Sequence, residues 1–210
     1  MLTFVEIEIY MENIPAIISA IGTIIAAWFA YNQYAKNKLT DLKIEKWKAD
    51  ETQKQAKRSD NIAQIYGMLW QLLHELNADR VYIVQPHPLT NNMFLSISLE
   101  VKRNGVSGMK TCVQQLPMSD VAVFSAELSQ RDFLFYKNVE NDVKDKRARA
   151  MMTTNGSCST VIKRLSDEEC DWIGSIFCEF THEQELQPMI LRQQLYDVAN
   201  KIQYILPEFK

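Results

Sequence analysis

Glycine and proline are sparse in this sequence, six of each in 210 residues, and histidine is rarer at three. The four cysteines (Cys112, Cys158, Cys170, Cys178) form no CxxC pair, which removes the usual spacing for structural zinc and for thioredoxin-like chemistry. No HExxH, GxSxG, Walker or Rossmann signature occurs, so the commonest motif-borne hydrolase and nucleotide chemistries have no foothold. Basic residues are absent from positions 1–35, which hold three acids, Glu6, Glu8 and Glu12. A net charge of −3 argues against broad nucleic-acid binding, which needs a basic face. Hydrophobic content of 47% with 23% charged residues is too apolar for a disordered chain.

What is present is one long apolar run. Ile14 to Tyr31 (IPAIISAIGTIIAAWFAY) is uncharged and would span about 27 Å as a helix, near the thickness of a bilayer core. The acidic start is unlike a secretory signal, and a core helix this apolar would need a larger protein around it. The spacing therefore predicts a transmembrane helix over 14–34, after an N-terminal tail of 1–13. Trp28, Tyr31 and Tyr34, with Lys36 and Lys38 beyond, fit as interfacial anchors. Ser19, Ala20, Gly22, Thr23, Ala26, Ala27 and Ala30 would let two such helices approach, so a homo-oligomer in contact with membrane lipid is expected. Eight Lys or Arg side chains in residues 36–58 predict a single-pass protein of the inner (cytoplasmic) membrane with its C-terminal part in the cytoplasm.

Residues 35–58 read as a helical stalk. Opposite charges recur at helical spacing, as in Asp50 and Lys54, and the apolar stripe of Leu39, Leu42, Ile44 and Trp47 is thin. A solvated helix is preferred over a weak coiled coil there, because no heptad persists. A folded domain of 59–210 follows. Ser59 or Asp60 would cap its first helix, whose stripe is Ile62, Ile65, Leu69, Leu72 and Leu76, widened by Leu73.

Arg80–Gln85 and Phe94–Arg103 have the composition and alternation of strands. Residues 118–128 suggest a short helix capped by Ser119 or Asp120, residues 132–138 a short strand, and 139–150 a charged loop or short helix. Met151–Leu165 and Asp171–Phe180 read as paired strands, with Gly174 at a bulge or close backbone approach. A last amphipathic helix covers Met189 to Ile205. Four or five largely antiparallel strands with terminal helices on one face make an α+β domain.

Candidate chemistry is thin. His74 reads as a surface or half-buried side chain, and His182, beside Glu183 and Glu185, as part of a polar turn. His87, between Pro86 and Pro88, is the best candidate, and with Gln85 and Asn91 it marks a ligand or partner loop, although a loop-ordering hydrogen bond is the plainer role. Asn155-Gly156-Ser157 matches a glycosylation sequon, but Asn-Gly is first a hairpin turn. Cys158 could be a nucleophile; a small buried side chain is the plainer reading. No catalytic residue, metal site or cofactor is expected. The cysteines could be free thiols or two disulfides.

Two resemblances follow from these residues. Leu69–Val84 (LWQLLHELNADRVYIV) resembles the opening of GAF domains and WIGSIFCEF their last strand, which implies a GAF- or PAS-like fold. Some GAF domains reduce methionine sulfoxide with paired cysteines, so the resemblance keeps a thiol reductase as an alternative. The order of elements also resembles the single-span holins of T-even phages, through Asp79–Leu89, Leu116-Pro117, Phe133–Tyr136 and the closing WIGSI. That resemblance implies assembly of spans into a lesion that permits host lysis, timed by a protein regulator bound to the soluble domain. T-even holins carry their basic residues before the span and their large domain in the periplasm, the reverse of the order here. The alternative is a membrane-tethered GAF-like sensor or scaffold with a small-molecule pocket near His87 and the middle segment.

Overall fold

In the computed structural model the described residues are 4–88, 93–184 and 187–207, with side chains described from Ile18 onward. The chain divides into two compact units, 1–56 and 57–210. Helix α1 (Phe4–Glu75) supplies the first unit and opens the second. It runs through Ser59 and Asp60 without a new cap, because nothing there interrupts a sequence free of Gly and Pro.

The membrane-spanning reading of 14–34 is overturned. Among the described residues no helix is long and apolar enough to cross a membrane. Residues 14–17 lie outside those whose side chains are described. The transmembrane part of the expected fold class and the single-pass inner-membrane location are therefore not supported, and the question of orientation lapses with them.

In the second unit α1 is followed by β1 (Arg80–His87), β2 (Phe94–Lys102), β3 (Leu116–Pro117), a 3-10 turn (Met118–Val121), α2 (Ala122–Gln130), β4 (Phe133–Tyr136), α3 (Val139–Asp142), α4 (Lys146–Thr154), β5 (Ser159–Ser166), β6 (Trp172–Phe180) and α5 (Pro188–Gln203). The strands form one six-stranded sheet in the order β3-β2-β1-β6-β5-β4, every neighbouring pair antiparallel. One face is covered by the helices the sequence predicts. Ile65, Leu69, Leu72, Leu73 and Leu76 of α1, with Leu191, Leu195, Val198 and Ile202 of α5, pack on Val81, Ile83, Val161, Ile176 and Cys178. The opposite face carries a second apolar cluster beneath the middle of the chain, which strand and helix periodicity alone did not place.

Two local expectations change. The strand predicted from Met151 begins only at Ser159, because Asp145 caps α4 by accepting hydrogen bonds from the Arg147 and Ala148 amides at 3.0 and 3.1 Å. Ala148 and Met152, four apart, then face the core. Gly156, at φ 81°, ends this helix rather than turning a hairpin: its amide and that of Ser157 donate back to the Thr153 and Met152 carbonyls. Neither Ser119 nor Asp120 caps α2; Asp120 instead pairs with Arg147 at 2.8 Å.

Gly174 does mark a close backbone approach. A Cβ there would stand 2.8 Å from the Val84 carbonyl oxygen, where β6 meets β1 next to the register shift of β5 on β6. Gly174→Ala is expected to cost about 1–3 kcal/mol by urea denaturation, because backbone rather than a flexible side chain must move.

Candidate functional site

The β1–β6 register decides the site. Arg80 lies opposite Glu179 and Tyr82 opposite Phe177, so alternation sends all four side chains to the face away from α1 and α5. Tyr82 and Phe177 stack at 4.9 Å with an interplanar angle of 12°, and Phe124 of α2 leans on Phe177 at 6.1 Å. Over these rings runs the segment 103–117, a strap whose Met109, Val113 and Leu116 point inward. α2 and α4 close the roof with Phe124, Leu128, Ala148, Met151 and Met152.

A cavity of about 30 Å³ remains between sheet, strap and roof. Its floor is Tyr82, Val84, Leu95 and Phe177, so every wall is apolar except for the edge of one phenol ring. A void of this kind has room for about one water but offers it no set of polar partners, so it stays dry. Three of its walls are methionines (Met109, Met151 and Met152), whose flexible side chains can re-pack around a guest.

Beside the cavity lies a buried polar network. Arg80 and Glu179 are each 1% exposed. The Arg80 Nε donates to Glu179 Oε2 at 2.9 Å, and its Nη2 bonds the same carboxylate and the Ser157 hydroxyl. Tyr82 donates to Glu179 Oε1 at 2.5 Å, and Ser157 to Oε2 at 2.7 Å. Burial works against the Arg80 charge, but the Glu179 carboxylate together with Tyr82 and Glu100 more than offsets it and holds the guanidinium protonated. Burial, with Glu179 as a second cause, pushes the Tyr82 phenol well above its ordinary range, so it stays a hydrogen-bond donor.

The network also fastens the strap. The Arg80 Nη1 donates to the Ser107 carbonyl, while Glu100 accepts from the Met109 amide at 2.6 Å and the Lys110 amide at 3.2 Å. At the other end the Gln115 amide donates to the Ser96 hydroxyl at 2.8 Å.

The residues singled out from sequence lie elsewhere. Gln85 is buried and donates to the Pro207 carbonyl at 3.1 Å, away from the cavity. His87 stacks on Phe94 and its Nε2 is 2.8 Å from the Ser96 hydroxyl, the loop-ordering role. Desolvation holds its imidazole below the ordinary histidine range. Asn91 lies outside the described residues. Neither Gln85 nor His87 lines the cavity, whose walls come from the sheet and the middle segment, the other part of the pocket expected from sequence. His74 is exposed and stacks on Trp70; His182 is exposed beside Asp79.

In the first unit, Ser19, Ala20, Gly22, Thr23, Ala26, Ala27 and Ala30 are exposed along α1, as are Trp28, Tyr31, Tyr34, Lys36 and Lys38. The four cysteines are free thiols, Cys178 buried and its thiol pushed upward by that burial. Among the described residues no group of three or more His, Cys, Asp or Glu is placed to hold a metal.

Sequence reasoning missed Arg80, Tyr82 and Glu179. The one available signal was an acid in β6 among otherwise uncharged residues, together with an arginine opening an apolar strand.

No protein-family model matches the sequence, and no curated protein matches it. Solved structures do. A far-red cyanobacteriochrome photoreceptor superposes with a TM-score of 0.58 at 15% identity, over 78% of this chain and 95% of that one. The third GAF domain of a Synechocystis protein, in its photoproduct state, gives 0.57 at 12% over 68% and 90%. A phycoerythrobilin-bound GAF domain of a cyanobacterial phytochrome gives 0.55 at 12% over 72% and 93%. The fold is GAF-like.

At these identities the likeness concerns fold alone. It carries the expected α+β class, with a six-stranded antiparallel sheet. Nothing in it supports a phage holin, and that reading is withdrawn: it needed a membrane span, which the described residues do not supply. The neighbours' names describe photoreceptor domains rather than enzymes.

Proposed function

We propose that residues 57–210 form a GAF-type sensory module that takes a compact, largely apolar ligand into the cavity beneath the strap. The observation that carries this reading is an apolar void with methionine walls, set on the sheet face opposite the terminal helices and covered by a fastened segment. One of the similar GAF domains is named for its bound phycoerythrobilin. A tetrapyrrole of that size needs a pocket of several hundred cubic ångströms, and the cavity here is about 30 Å³. A smaller guest, admitted by rotation of Met109, Met151 and Met152, suits the walls better. Its arrival would strain the strap at Ser107–Lys110, where Arg80 and Glu100 hold it, and so report occupancy at the surface.

The test is titration of the full chain with benzene and indole, read by the methionine methyl resonances and by thermal unfolding. Binding should shift the Met109, Met151 and Met152 methyls, raise Tm, and vanish in Ala148→Leu, which fills the void. A panel of such probes that leaves those methyls unmoved in the unsubstituted chain would sink the reading.

A second reading is a protein-binding module. Trp70 of α1 is 44% exposed, and Gly67, Met68 and Gln71 of the same helix line a groove with Lys201 and Ile205. It predicts no response of the cavity methyls to small apolar probes.

A further inference from the structure

The first unit presents a long apolar helix face with no cover among its described residues. Ile18, Ile21, Ile25 and Trp28 are each at least half exposed, and so are Leu39 and Leu42. Read as two segments, the apolar run and the charged run show no common pattern. α1 makes them one helix, and a single phase then holds across the junction. Spacings of three and four lead from Ile18 through Trp28 to Asn32 and Ala35, then to Leu39 and Leu42, and onward through the polar Lys46 to Ala49 and through Gln53 to Ala56. These are the a and d positions of consecutive heptads. The small residues Ser19, Ala20, Thr23, Ala26, Ala27 and Ala30 fall off this seam, on the other side of the helix.

We propose that α1 of one copy pairs with α1 of a second copy, parallel and in register, along the seam from Ile18 to Ala56, with Asn32 setting the register. Asn32 occupies an a position in an otherwise apolar stretch, the place where one polar residue selects alignment in coiled coils at some cost in stability. In a parallel, unshifted pair the two Asn32 amides meet and bond each other, and the Ile18–Trp28 layers meet their own counterparts. A shift by one heptad sets Asn32 against Ile25 or Leu39 and leaves its amide without a partner. An antiparallel copy with Leu39 against Leu42 lays Ile25 and Trp28 against Ala56 and Gln53, which bury far less apolar surface. The six large side chains present on the order of 700 Å² per copy, close to the roughly 800 Å² that each partner gives a stable interface.

The flanking charges supply a discriminating sign. In the parallel pair Lys38 faces Lys43 of the second copy and Glu45 faces Asp50, both like-charged. In the antiparallel pair Lys38 faces Glu45 while Lys36 faces Lys43, so attraction and repulsion offset. Screening therefore tightens a parallel pair and changes an antiparallel one little.

The experiment uses the full chain, by sedimentation between 0.05 and 0.5 M salt on the order of one to a few Debye lengths of screening. Expected are self-association that strengthens as salt rises, at least tenfold weaker association in Leu39→Asp/Leu42→Asp with an unchanged near-ultraviolet spectrum, and a spread of oligomer sizes in Asn32→Leu. With Cys112, Cys158 and Cys170 replaced by serine, Leu39→Cys should cross-link copy to copy and Thr40→Cys should not. A chain that stays single at tens of micromolar, association that does not strengthen with salt, or equal cross-linking at both positions would overturn the proposal.

Discussion

Glu179→Ala is expected to lower the stability of the folded domain by about 3–5 kcal/mol, measured by urea denaturation at neutral pH. The Arg80 guanidinium, 1% exposed, would lose the counter-charge that offsets its desolvation. The Tyr82 and Ser157 hydroxyls lose the same acceptor, and these unsatisfied buried donors are part of that loss. Replacing both ions by apolar side chains tests whether charge is the reason. Arg80→Met/Glu179→Leu should recover much of the loss, though not all, because the Tyr82 hydroxyl and the Ser107 carbonyl still lack their partners. A cost below about 1 kcal/mol for Glu179→Ala would contradict the account of a tightly coupled buried pair. The same variant should speed hydrogen exchange in residues 107–110, since Arg80 holds the strap there only while Glu179 orients its guanidinium.

Phe177→Ala is expected to cost about 3–5 kcal/mol and to convert the small void into a usable cavity. Phe177 is 2% exposed, stacks on Tyr82 and meets Phe124, so its ring forms part of the cavity floor beneath the roof. Removing it leaves space that the six-stranded sheet cannot collapse into, because β6 is paired on both sides. Benzene should then bind more tightly than to the unsubstituted chain and restore part of the lost Tm. The check is a pair of thermal scans with and without the probe. Equal Tm values for Phe177→Ala in both would show that the site closes up rather than opens, and would remove the basis for an adaptable methionine wall.

Some of this organisation was readable from residue order. The stripe Ile62–Leu76 is local, because a helix repeats its face every three or four residues wherever it packs. The strands at Arg80 and Trp172 were equally plain, being β-branched and aromatic runs bounded by turns. Gly174 could be singled out because a glycine inside a strand needs a reason. Where local rules misled, a competing local signal had won. Met151–Thr154 suited a strand until Asp145 capped a helix through it. Asn155-Gly156 suited a hairpin until the helix before it needed a left-handed terminus. The Ile14–Tyr31 run suited a membrane by hydropathy, whereas among the described residues no helix is long and apolar enough to cross one.

The candidate site belongs to the other category. Arg80 and Glu179 are 99 positions apart, and Tyr82 and its acceptor 97. Residue order alone carries no rule that selects such a pair. Strand pairing selects it, because the register of β1 on β6 sets Arg80 beside Glu179 and the pleat turns both to the same face. The strap is similar: Glu100 grips Met109 and Lys110 only because β2 runs beneath them. Sequence by itself determined the terminal helices of the domain and its long strands and which of their faces were apolar, since those follow from short-range periodicity. Only the tertiary structure decided that one sheet face carries an apolar cavity beside a buried ion pair, because that depends on which strands meet and in what register.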